Sequence, residues 1–296
     1  MRKGLLLLVA GLGCSCGSVS ADEACASWTT AYCERINSCM PVAIVVAFGD
    51  VATCVTRSRL TCPPVFDVAG SSLTPQGLDD CAKALPAASC EELISHNPPA
   101  ACRPKPGTLI NGTACGIDHQ CQSGYCKTNG LCGVCSGRAT AGGSCEQQDD
   151  CDYGLYCASK LCVAPAGPGA TCDQGHPCRT DLSCVGGTCA TPLAPGAKCD
   201  PLKAECEEAK GYFCTPKSQV CAAAKQAKAG EACGVLEDGY GACVSGGFCK
   251  MAGLSGSCVA AAADGATCSD TAGPHCQSPA TCVNGLCKLD DPSTCK

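Results

Sequence analysis

Two patterns of apolar positions divide the chain. From residue 22 to about 110 apolar side chains recur at helical spacing. Cys25, Trp28, Tyr32, Ile36 and Cys39 fall on one helical face. Val51, Cys54, Val55, Ser58 and Cys62 do the same after a start at Asp50. Thr74-Pro75 is a cap followed by a first-turn proline and brings Leu78, Cys81 and Leu85 to one side, while Ser89 and Glu92 form a capping box for a short last helix. Met40 to Phe48, an apolar run of nine residues, is too short for a membrane and is expected to be buried between the first two helices. Pro98-Pro99 and the stretch from Arg103 to Gly107 end the helical part and act as a hinge.

Beyond residue 110 the periodicity stops and cysteine takes its place. Cys145, Cys151, Cys157 and Cys162 are separated by five, five and four residues, and Cys172, Cys178, Cys184 and Cys189 repeat those gaps after nine more, a period of 27 residues. The frame extends upstream to Cys115, Cys121, Cys126 and Cys132. Downstream it runs with looser gaps through Cys199–Cys221, Cys233–Cys258 and Cys268–Cys287. Six modules result, each with a glycine three residues before its first cysteine: Gly112, Gly142, Gly169, Gly196, Gly230 and Gly265. The expected fold class is therefore small and disulfide-rich: tandem Cys-rich repeats with short β-hairpins, preceded by a small helical domain stapled by four disulfides. The division is 1–21 signal peptide, 22–110 helical domain and 111–296 six modules.

Inside the modules, Asn129-Gly130, Gly186-Gly187 and Asn284-Gly285 stand where a two-residue hairpin turn needs positive φ twice. Tyr125, Tyr156, Phe213 and Phe248 precede the third cysteine and are expected to lie against the nearest disulfide. The Pro/Gly/Ala connectors 164–170 and 191–197 are expected to set chain direction without burying anything, which strings the modules in a line. Four cysteines permit three pairings and no spacing decides among them; analogy with other small secreted modules favours first-to-third with second-to-fourth.

Composition explains the need for cross-links. Between Cys115 and Lys296 only 21 of 182 residues are Leu, Ile, Val or Phe, about 12%, far too few for an apolar core. Export follows from the amino terminus, where Arg2-Lys3 precedes the apolar run Leu5 to Leu12, and agrees with 36 cysteines. Two cleavage sites fit. Val19-Ser20-Ala21 suits ordinary secretion, and Gly11-Leu12-Gly13-Cys14 resembles a bacterial lipoprotein site, so Cys14 and Cys16 are candidate lipidation positions. From Asp22 onward 34 cysteines remain, an even number; lipidated Cys14 would leave Cys16 odd, whereas lipidated Cys16 keeps the balance. Removing residues 1–21 takes Arg2 and Lys3 and no acid, moving the net charge from −6 to −8. Such a chain does not suit nucleic acid or anionic lipid, so a membrane would be met only through a lipid anchor.

No catalytic residues, metal ligands or cofactor site emerge. His119, His176 and His275 precede the second cysteine of three modules, but these lie far apart and their cysteine neighbours are oxidised. Cys132-Gly133-Val134-Cys135, a lone Cys-x2-Cys, reads as structural pairing rather than redox chemistry in this frame. Asp149-Asp150-Cys151-Asp152 reads as a solvated acidic face rather than a calcium loop, and Asn111-Gly112-Thr113 is a glycosylation sequon of use only in a eukaryotic secretory pathway.

The gaps from Cys115 to Cys157, with Tyr125 before the third cysteine, resemble the amino-terminal cysteine-rich region of Dickkopf proteins over one module and the start of the next. That family's function implies antagonism of a Wnt co-receptor, but the later modules drop the Cys-x2-Cys element and no residue here carries that specificity. The chain as a whole is similar to Cys-rich bacterial envelope proteins, often lipoproteins, with Dickkopf-like repeats behind a helical domain; this likeness implies location and architecture and no reaction. The expected function is a secreted or surface-held protein-binding or structural module whose partner is an extracellular or envelope protein. The alternative is a protease inhibitor, with Glu237 to Ala242 as the longest loop to hold extended.

Two cysteines fall outside the scheme, Cys135 and Cys295. A line of modules holds them too far apart to bond. Cys135 is therefore expected to pair within the first module or at the hinge, displacing one cysteine into a bond between neighbouring modules, and Cys295 to join the last module or another molecule.

Overall fold

The computed structural model describes residues 18–128 and 130–295; Cys14 and Cys16 lie outside them. The helical part comprises α1 (Ala21–Cys39), α2 (Pro41–Ala47), α3 (Val51–Ser58), α4 (Pro75–Ala84) and α5 (Cys90–Ile94). Its ends form where the sequence provides caps. The Asp50 carboxylate accepts the Thr53 N–H at 2.7 Å, Thr74 caps α4, and Ser89 and Glu92 cap each other's backbone. Ser20 and Glu23 make a second box at the start of α1, which cleavage after Ala21 would remove. Cys33–Cys54 ties α1 to α3, Cys25–Cys62 ties it to the chain beyond, Cys39–Cys90 joins α1 to α5, and Cys81–Cys102 joins α4 to the last helical turn. Ile44, Leu85 and Val68 are buried among them.

The second to sixth modules pair first to third and second to fourth, as in Cys145–Cys157, Cys151–Cys162, Cys172–Cys184 and Cys178–Cys189, and the first repeats that topology with Cys115–Cys126 but with Cys135 in the fourth place. In each the opening glycine has φ near +80° and donates its N–H to the carbonyl of the fourth cysteine: Gly142 to Cys162, Gly169 to Cys189, Gly265 to Cys287, all at 2.8 Å. A Cβ would have open space there, so only the left-handed backbone demands glycine. The hairpin turns have the expected conformation at Gly186-Gly187 and Asn284-Gly285, and Ser159-Lys160 adopts it with no glycine; Asn129 lies outside the described residues.

Three expectations are corrected. The connectors are not idle: the residue six before the first cysteine pairs in parallel with the second cysteine in every module, as Leu109 with Cys121, Ala166 with Cys178 and Leu193 with Cys206. The connector thereby ties its backbone to the second-cysteine segment, through a single bridge in five modules and through the strand Lys225–Ala227 in the fifth. The aromatic residues do not simply cover their own disulfides; they reach the next module. The Tyr125 hydroxyl donates to Asp150 at 2.7 Å, Phe213 packs on Tyr240 and Phe248 on His275. The Tyr156 hydroxyl is buried facing Thr180 without reaching a hydrogen bond of acceptable geometry.

The largest correction concerns the line. Cys135 pairs locally, with Cys121, and the Gly112 N–H meets the Cys135 carbonyl, so Cys135 and not Cys132 is the fourth cysteine of the first module. The displaced Cys132 does not bridge to a neighbour. It bonds Cys295, 163 residues away, with the Cα atoms 5.3 Å apart. The array folds back on itself and closes into a ring.

The helical part is the hub of that ring, and every module touches it. Ser72 donates to the His119 carbonyl at 2.9 Å and Gln120 to Ala69 at 2.8 Å in the first module. His96 meets Asp149 of the second at 2.9 Å, and Glu91 accepts from Thr180 of the third. The apolar run Met40–Phe48 becomes α2, whose Ile44 is buried in the hub. Its outer side receives the turn Glu208–Lys210 of the fourth module, and its Val45 and Val46 carbonyls accept the Ser245 and Gly246 N–H groups of the fifth. Arg57 grips the sixth, bidentate to Asp264 at 2.7 Å and with bonds to the Gln277 and Ser278 carbonyls. The final turn, Pro292–Thr294, packs on Pro63–Asp67 beside the closing disulfide.

Candidate binding clefts between hub and ring

Wrapping small modules around a helical hub leaves clefts where convex bodies meet. The more apolar one, of about 520 Å³, lies between the hub and the first module. Trp28 and Tyr32, one helical turn apart on α1, stack with centroids 5.2 Å apart and form its wall, and burial pushes the Tyr32 phenol pKa up. Leu78 of α4, Leu85 and Leu93 add aliphatic surface from the hub, and Ile117 faces them from the first module. The hinge strap brings Arg103 and Lys105 to the rim, and His96 and His119 complete the lining, which contains no Asp or Glu.

These cations differ in commitment. Arg103 is held by Asn97 at 2.7 Å and the Pro98 carbonyl at 3.1 Å, and it lies over the Tyr153 ring. His96 pairs with Asp149. Lys105 is exposed, and no carboxylate among the described residues comes within ion-pair distance of it. His119 is half-buried with Nδ1 3.5 Å from the Ser72 hydroxyl; burial, and then the Lys105 charge, lowers its pKa.

Between the hub and the third and fourth modules runs a wider, less apolar cleft of about 920 Å³. Its charges satisfy one another: Lys210 meets Glu207 at 2.6 Å, Arg179 holds Asp181, and Glu91 accepts from Thr180. Glu208 stands apart, its pKa raised by burial.

At the junction of hub, first and second modules sits a polar knot with no counterpart in the cysteine pattern. The nearly buried Arg138 guanidinium is sandwiched between the Tyr125 and Tyr153 rings, 4.3 and 4.8 Å from their centroids, and meets Asp118 at 3.1 Å and His96 at 2.9 Å. Asp150 is not part of a solvated acidic face. It is buried, which alone would raise its pKa, yet bonds from the Tyr125 hydroxyl, the Glu146 and Gln147 N–H groups and Lys127 more than offset this and hold it at about 2. Gln120 and Glu205 occupy the same place in the first and fourth modules, each immediately before the second cysteine and each accepting an N–H that follows the first. The signal for this device was available: a polar residue before the second cysteine, in a segment with a backbone turn to satisfy.

The other singled-out residues do not converge. His176 bonds Asp173 within its own module, and His275 packs on Phe248. The cysteine triads close enough to share an ion, such as Cys115, Cys121 and Cys126, are oxidised in pairs. The segment Glu237 to Ala242 is a hairpin tip and a strand, and Gly239–Cys243 is hydrogen-bonded on both edges, by Lys225–Ala227 and Ala232–Leu236. Its backbone is not free to pair with a protease.

The residue before the fourth cysteine is aliphatic and exposed in three modules: Val134 at 47%, Leu161 at 46% and Leu286 at 41%. Leu254 and Met251 at the fifth module's hairpin tip and Leu202 in the fourth module are exposed as well. Compared with known proteins, the chain matches no family model, no curated protein and no solved structure. Seventeen disulfides among the described residues mark it as an exported, disulfide-rich module, since so many pairs persist outside the cytosol. Among the described residues no single helix is long and apolar enough to cross a membrane.

Proposed function

We propose that the chain is a non-catalytic binding module of the cell surface or extracellular space, whose closed ring presents aliphatic side chains to a protein partner. The observation that carries this is the recurrence of Val134, Leu161 and Leu286 at one position of the repeat, each exposed on a hairpin whose backbone two disulfides hold in place. A side chain that is already ordered loses little entropy on binding, so few contacts suffice for affinity. The likeness to Cys-rich envelope lipoproteins supports retention at the surface through a lipid on Cys14 or Cys16; the intact mass of the mature protein reads the cleavage site and any acyl group directly. The test of binding is cross-linking of oxidised protein in its native envelope or medium, compared with the V134E/L161E/L286E variant. Partners that disappear with the variant support the reading. Partners retained unchanged, or nanomolar inhibition in a protease screen, would replace it.

A further inference from the structure

We propose that the cleft between the hub and the first module binds a single-chain anionic amphiphile, a fatty carboxylate, with its tail along Trp28, Tyr32, Leu78, Leu85 and Ile117 and its head group at Lys105 and His119. The proposal is independent of the exposed hairpin positions.

Shape comes first. At about 520 Å³ the concavity lies within the range of small-molecule sites. A protein partner would need a patch of roughly 800 Å² on each side, which this recess does not offer. The walls come from rigid parts: α1 and α4 pack on each other, Cys25–Cys62 fastens α1 to the chain after α3, Cys81–Cys102 fastens α4 to the turn Ala100–Cys102, and the first module is held by two disulfides of its own.

Charge selects the head group. The chain carries 27 acidic and 21 basic residues, yet the cleft is lined by Lys105, Arg103 and two histidines and by no acid. A neutral or cationic amphiphile would leave that local excess unanswered. Arg103 and His96 are already engaged, which leaves Lys105 and His119 as the groups able to receive a ligand. His119 is kept toward its neutral form by burial and by Lys105; the Ser72 hydroxyl gives its proton to the Lys105 carbonyl at 2.6 Å, and with Nδ1 3.5 Å from that oxygen the ring is free to carry its proton on Nε2 and donate it to a carboxylate oxygen. One ammonium and one neutral donor match a monoanion. A phosphate dianion would require more charge than the rim supplies.

Trp28 is the only tryptophan in the chain, so its emission reports on this cleft alone. The full oxidised chain is titrated below micelle concentrations with dodecanoate, with dodecyltrimethylammonium and with 1-dodecanol. The expected result is a saturable blue shift with dodecanoate, with far-UV circular dichroism unchanged, and an affinity lowered about tenfold or more by Lys105→Glu. Lys105 is exposed, so that variant folds as the parent does. The proposal is overturned by the absence of a saturable shift, by equal binding of the cationic or neutral amphiphile, by an unchanged affinity of Lys105→Glu, or by a shift that accompanies loss of helix signal.

Discussion

Hub and ring use the same bond for opposite ends. In the hub, four disulfides join helices that caps and apolar faces already define, and they sit beside Ile44, Val68 and Leu85. In the modules most of the buried residues are cysteine, and the cross-link creates the element instead of fastening it. Module disulfides close loops of 11 to 16 residues, each restricting the unfolded chain by about 3 kcal/mol, whereas the ring-closing bond spans 163. A chain with little apolar surface can thus be ordered locally by short loops and globally by one long one.

The largest effect should come from reduction. With all disulfides reduced, the ring is expected to lose its tertiary structure while α1, the longest helix, retains part of its helix signal. Loss of helix and ring signals in one step would erase the distinction drawn between them. Limiting reductant should open Cys132–Cys295 first, since Cys132 is the one exposed cysteine among the described residues; alkylation and peptide mapping would show it.

Next is the knot. Arg138→Met should cost about 3–5 kcal/mol, because it leaves Asp118 and two tyrosine rings without their shared cation. Denaturant unfolding measures this, and a cost below 1 kcal/mol would mean that disulfides alone hold the first two modules together. Asp150 gives a pH signature. Its folded pKa of about 2 lies below the ordinary carboxylate value of 3.8, so its contribution, about 2 kcal/mol, is present above pH 4 and fades as pH falls toward 2. Asp150→Asn should remove that part of the acid sensitivity.

Backbone conformation supplies the smaller effects. Gly265→Ala places a Cβ in the left-handed region and should destabilise the sixth module by about 1–2 kcal/mol, although space around it is open. The reverse change is available at Ser159-Lys160, where both residues have positive φ. Replacing them by Asn-Gly should stabilise the second module by about 1 kcal/mol, read as a rise in melting temperature.

Much of this molecule is legible in its sequence, and the illegible part has one cause. Helix starts at Asp50, Thr74 and Ser89, the six glycines and the two-residue turns are local, and local spacing reveals them. The cleft and the knot are not local. Trp28 and Ile117 line one cleft, and Arg138 meets His96 and Asp118, only because the modules wrap around the hub. The spacing of Cys132 also misleads: it sits six positions after Cys126, close to the five that separate third and fourth cysteines in the second and third modules, yet the first hairpin bonds Cys135 and frees Cys132 to reach across the ring. Gaps between cysteines record distance along the chain, and closure is a matter of where the chain goes.

Ring closure is the central claim, and non-reducing digestion with mass spectrometry of the monomer tests it most directly. Cleavage between Val134 and Cys135 separates the two candidates. The account predicts a peptide containing Cys132 joined to the carboxy-terminal peptide containing Cys295, and Cys135 joined to Cys121. A Cys121–Cys132 bond, with Cys135 or Cys295 paired elsewhere or between molecules, would contradict it and return the six modules to a line.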